Sequence, residues 1–136
     1  QFGARLRTYA RPDVLPAEGE VLEDKLLIRA DKNPNSYGVA ARFGAEDFKP
    51  EAGHDWVLVW GEYPSRADLG SARVIHLAHF GAAWAQPADV LIPISTTFER
   101  SGTFSNFEGT LSRFEAVFDK PAQVQHAADV FKGLAA

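Results

Sequence analysis

Cysteine and methionine are both missing from the 136 residues. Without cysteine the chain holds no disulfide, no thiolate zinc site and no iron–sulfur cluster of its own. With no methionine and Gln1 at the start, it is expected to be an excised or processed piece rather than a complete translation product. No apolar run approaches the roughly 18 residues of a membrane span, and no charged-then-apolar leader opens the chain. A formal net charge of −4 leaves no basic stripe for nucleic acid. No G-x-S-x-G elbow, Walker loop, G-x-G-x-x-G or H-E-x-x-H is present, so nucleophilic and zinc hydrolysis lack a motif. The four histidines do not gather. His76 and His79, three apart, fall on opposite faces of a strand. His54 precedes a strand and His126 lies in the last helix, so a histidine metal site is not expected.

An apolar share of 46%, with ten Phe and three Trp, is ample for a core. The length fits one domain or a piece of a larger one, burying a little under 70% of its unfolded surface on folding. The opening is broken by Pro12 and Pro16, and Glu18 to Asp24 is acidic and solvent-seeking, so residues 1–25 are expected to be an extended or irregular lead-in. Residues 26–136 are expected to form one module. Leu26-Leu27-Ile28 is a candidate strand. Asn33-Pro34-Asn35-Ser36 reads as a turn or helix entry, and Tyr37 to Phe43 as a short helix ending at Gly44.

From residue 55 an α/β alternation is predicted. Trp56-Val57-Leu58-Val59-Trp60 is a continuous apolar run, the pattern of a strand buried on both faces. Gly61 and Pro64 end it, and Ser65 is placed to cap a short helix through Leu69. Val74 to Ala78 is a second strand, Gly81 to Ala85 a crossover turn, and Val90-Leu91-Ile92 a third strand stopped by Pro93. Strand, connection and strand in this order predict a short parallel sheet with flanking helices. Gly102 and Gly109 bracket a polar and aromatic loop. Phe114, Ala116 and Phe118 alternate with Arg113, Glu115 and Val117 as in a half-exposed strand. Pro121 fits the first turn of a C-terminal helix whose stripe is Val124, Ala127, Ala128, Phe131, Leu134 and Ala135.

Asp89 and Glu99 are the carboxylates that invite an acid–base reading of the kind glycosidases use. The structural alternative is favoured: Asp89, at a strand start, accepts backbone N–H bonds from the preceding turn, and Glu99 braces the following glycine turn. The Gly102–Gly109 loop has the glycines and the Asn106 amide of an anion or cofactor-phosphate cradle. Against this, it has no Lys or Arg between the glycines, and Glu108 would repel phosphate. A turn with positive φ at Gly102 and Gly109, tied by Thr103 and Asn106, is the favoured reading.

The order Ala88-Asp89-Val90-Leu91-Ile92-Pro93, then Glu99, Gly102-Thr103 and Asn106-Phe107-Glu108-Gly109, resembles the A-D-V-x-L-P, E-x-x-G-T and N-x-E-G-R run of the molybdopterin oxidoreductase superfamily. Asn33 to Gly38 looks like its upstream N-x-x-G turn, and Leu58 to Pro64 like its strand and G-x-N-P turn. The resemblance covers residues 55–135 well and 26–44 loosely. It implies that Asp89, Pro93 and Glu99 are structural motif positions, and that a bound pterin would be met by Gly102, Thr103, Asn106, Glu108 and Gly109.

Where catalytic relatives carry an Arg and a Gln after N-x-E-G, this chain has Thr110 and Ser112. Trp84 stands where a small residue is usual. These departures are similar to the cofactor-free branch, the C-terminal part of the large iron–sulfur subunit of NADH–quinone oxidoreductase (respiratory complex I). That likeness implies a scaffold with no catalytic residue, metal or cofactor in this piece, the parent carrying iron–sulfur clusters. The implied partners are the rest of the same subunit and of the complex, on the cytoplasmic side, peripheral to the inner membrane. Separated from that neighbour, the piece should expose an apolar patch and be free to self-associate. The alternative it implies is the cofactor-binding part of a formate-dehydrogenase-like molybdopterin enzyme.

Overall fold

The computed structural model describes residues 9–10, 24, 26, 35–48, 53–61, 66–80 and 87–135. The candidate strand at Leu27-Ile28, the cap at Ser65 and the crossover at Gly81–Ala85 lie outside them, as does the lead-in apart from Tyr9, Ala10 and Asp24. The chain divides into two compact units: Gln1–Ala4 with Lys49–Gly102 and Glu115–Ala136, and Arg5–Phe48 with Thr103–Phe114.

The first unit holds the predicted parallel sheet, and the protein is α/β. Strands β3 (Trp56–Trp60), β4 (Arg73–Ala78) and β5 (Val90–Pro93) lie side by side in that order. (The first two strands, β1 and β2, belong to the other unit.) Val57 pairs with Val74 and Ile75 with Val90, in parallel register. β-Branched residues favour these pleated strands. A 3-10 turn at Arg66–Leu69 precedes β4.

Central position decides burial. Val74 and Leu77 of β4 are fully buried, whereas Trp56 and Trp60 of β3 are each 52% exposed. The expectation that Trp56–Trp60 is buried on both faces is therefore corrected. A buried strand needs neighbours on both edges as well as layers above and below, and among the described residues β3 has β4 alone.

Leu77 and Ile94 form the core with Ala127 and Val130 of α2 (Ala127–Ala135), and Ile75 and Ile92 pack against it. Alternation along the strands places Ile75, Leu77, Ile92 and Ile94 on the one face that α2 covers. The helix starts six residues later than Pro121. Val124 N–H closes a turn on the Pro121 carbonyl, and Gln125 then joins the sheet. Its N–H donates to Pro93 O at 3.1 Å and its carbonyl accepts from Ser95 N–H at 2.8 Å, so it has nothing left for a helix ladder. The buried stripe shifts with it, onto Ala127 and Val130.

The second unit contains α1 (Ser36–Phe43), the short parallel pair β1 (Tyr9–Ala10) and β2 (Glu46–Asp47), and the paired strands β6 (Gly102–Ser105, entering from the first unit) and β7 (Leu111–Phe114). α1 ends as expected: Gly44 is left-handed and its N–H donates to Ala40 O at 2.9 Å. The strand expected over 113–118 is displaced to Leu111–Phe114. Val117 and Phe118 bend instead, both N–H groups donating to Phe98 O.

Candidate functional site

The motif carboxylates are both engaged with backbone. Asp89 Oδ2 accepts the Val74 N–H at 2.8 Å and lies 4.0 Å from the Arg66 guanidinium. Arg66 in turn donates to Gly70 O at 3.0 Å. Asp89 thus ties the start of β5 to the start of β4 and to the 3-10 turn. Its partner is the neighbouring strand rather than the turn before it. Glu99 reaches backward, not forward to the glycine turn: its Oε2 accepts the Thr96 N–H at 2.8 Å, closing a capping box on the 3-10 turn Thr97–Glu99. Pro93 ends β5 and gives its carbonyl to Gln125.

A cleft of about 510 Å3 opens beside this turn, with Glu99, Arg100, Ser101, Asp119, Lys120 and His126 among its walls. Burial pulls the Arg100 guanidinium below its ordinary pKa. The walls mix both signs of charge, and the Glu99 carboxylate is already bound. Behind them Ser95, 1% exposed, hydrogen-bonds His126 Nδ1 through its hydroxyl at 2.9 Å. A serine so buried cannot meet a substrate, so the pair is a structural tie. His76 Nε2–H donates to Gly61 O at 2.6 Å and His79 Nδ1–H to Ile94 O at 3.3 Å. Among the described residues no three His, Asp or Glu side chains gather into a metal-holding group.

The residues Gly102 to Gly109 are not one loop. Gly102 and Thr103 open β6, and Gly102 is not left-handed. The turn is confined to 106–110 and is built around Asn106, whose own N–H donates to Thr110 O at 3.0 Å. Its Oδ1 accepts the N–H groups of Glu108 at 3.0 Å and Thr110 at 2.8 Å, and its carbonyl accepts that of Gly109 at 3.0 Å. Gly109 has φ +82°, and a Cβ there would lie 3.0 Å from the Tyr37 ring. No hydrogen bond ties Thr103 into the turn among the described residues.

Three contributors were not singled out as site residues, although Asn35 and Tyr37 lie in the N-x-x-G stretch. Asn35, left-handed at φ 63°, accepts the Ser105 N–H on its Oδ1 at 2.7 Å. Tyr37 fills the space at Gly109, and Thr96 completes the capping box. Asn35 and Thr96 had local signals: an asparagine after Pro in a turn, and Thr-x-x-Glu. Tyr37 had none.

The comparison with known families decides what this scaffold is. A family model described as molybdopterin oxidoreductase matches residues 68–136, half of the chain. The chain belongs to the molybdopterin oxidoreductase family. No curated protein and no solved structure matches it. In this family member, three N–H groups of the N-x-E-G turn are engaged inside the turn itself. The N–H groups of Glu108, Gly109 and Thr110 are spent on Asn106, and the Glu108 carboxylate is exposed beside them. Of the residues expected to meet a pterin, Glu108 and Gly109 thus have their N–H groups engaged within the turn.

Proposed function

We propose that this chain is the C-terminal structural module of the large iron–sulfur subunit of an NADH–quinone oxidoreductase. It contributes scaffold to electron transfer from NADH to quinone and carries no redox centre. The observation that carries the reading is the self-closed Asn106 turn, followed by Thr110 and Ser112 where catalytic relatives resemble one another in Arg and Gln. A turn whose amides are internally bonded holds a fold together; one that binds phosphate must aim them outward. Its partners are then the rest of the subunit and its complex, on the cytoplasmic side of the inner membrane, with iron–sulfur clusters elsewhere in the parent. The described residues include no helix long and apolar enough to cross a membrane, which is compatible with a peripheral place.

Plasma mass spectrometry of the natively purified parent polypeptide tests this. Iron without molybdenum or tungsten is expected. A stoichiometric amount of either metal overturns the scaffold reading in favour of a formate-dehydrogenase-like enzyme.

A further inference from the structure

The strand Trp56-Val57-Leu58-Val59-Trp60 is a palindrome, and among the described residues it lies at the edge of its sheet. Asp55 O accepts from Arg73 N–H, and Gly61 N–H donates to Leu77 O. The two-residue period of a strand therefore turns the backbone groups of the odd residues 55–61 toward β4. It turns those of Trp56, Leu58 and Trp60 toward the other edge, where no described strand pairs. We infer that the chain pairs with a second copy of itself along this edge, antiparallel about a two-fold axis at Leu58. In that register Leu58 meets Leu58 and Trp56 meets Trp60, each pair exchanging both backbone bonds with groups that already point outward.

The palindrome makes the patch self-complementary, as a two-fold interface requires. Charge agrees: β3 has no ionisable residue, and in the same register Asp55 falls opposite Gly61, so no like charges oppose each other. Natural edges are commonly blunted by Lys, Pro or a bulge, and β3 carries no Lys or Pro. Trp56 and Trp60, each 52% exposed, and Leu58 at 36% lie on one face. Together they offer on the order of 500 Å² of apolar surface between two copies. That is below the roughly 1,600 Å² of a standard interface, so the dimer is weak and reversible.

Sedimentation equilibrium of the 136-residue chain tests it. The wild type should shift from monomer to dimer with concentration. Leu58→Lys and Leu58→Glu place like charges across the axis, and each should raise the dissociation constant at least about tenfold. Mixing the two variants in equal amounts should restore the dimer. Far-UV circular dichroism checks that both are folded; should they not be, Trp56→Glu at the half-exposed end must weaken the dimer instead. A wild type that stays monomeric to about 1 mM overturns the inference, and leaves the edge to a strand from elsewhere in its polypeptide. Dimers unaffected by any of these changes, or folded Lys and Glu variants that do not recombine, overturn it as well.

Discussion

The two units are held together by different physics. Every buried apolar side chain among the described residues lies in the sheet unit: Val59, Leu69, Ala72, Val74, Leu77, Ala78, Ile94, Ala127 and Val130. In the other unit α1 buries nothing fully, and the one buried described residue is Ser105. There the ties are Asn35 to Ser105, the Asn106 turn, and the stacked rings of Phe104 and Phe114 at 4.9 Å. Hydrophobic burial scales with area and is cooperative; a few polar ties are worth about 1 kcal/mol each. The sheet unit is therefore the stable body of the chain, and the helix-and-hairpin unit opens first.

Leu77→Ala is the largest break of this contrast. Leu77 is fully buried between β3 and β5 and against α2, so truncation should cost about 2–5 kcal/mol in urea unfolding. A loss below about 1 kcal/mol would mean that the sheet is not the cooperative core.

Gly109→Ala comes next and acts in the other unit. The left-handed φ of +82° and the approach to Tyr37 together should cost about 1–3 kcal/mol. Pairing it with Tyr37→Ala removes the steric part but not the conformational part. Full recovery in the double variant would show that φ contributes nothing.

Asn106→Ala sharpens the contrast further. It frees the N–H groups of Glu108 and Thr110, both exposed, so water replaces the lost partner and the cost should be about 1 kcal/mol. Amide hydrogen exchange should speed up at those two residues and stay unchanged at Leu77. Exchange that rises equally in β4 would mean that the units open as one.

Local chemistry made much of this readable beforehand. Apolar runs broken by Gly and Pro located all three strands of the parallel sheet, and Gly44 located the end of α1. Burial was not readable, because Trp56–Trp60 is the more apolar run yet the less buried; its place in the sheet order decides. Gln125 was misread for a related reason: its hydrogen bonds go to Pro93 and Ser95, some thirty positions away, which no local pattern reveals. The motif carboxylates were expected to bind backbone, and do, but their partners, Val74 and Thr96, came from the fold. At Gly102 the motif suggested a loop where the residue begins a strand.

The smallest expected effect separates capping from charge at Glu99. Thr96→Ala removes one half of the capping box on a turn of three residues, and about 0.5–1 kcal/mol should be lost. Glu99→Gln keeps an oxygen that can accept the Thr96 N–H, so it should cost only a few tenths of a kcal/mol. If Glu99→Gln instead costs as much as Thr96→Ala, the negative charge itself matters. The cleft that Glu99 shares with Arg100 and Lys120 would then be held by electrostatics as well as by the cap, and rising salt should bring the cost of Glu99→Gln back below that of Thr96→Ala.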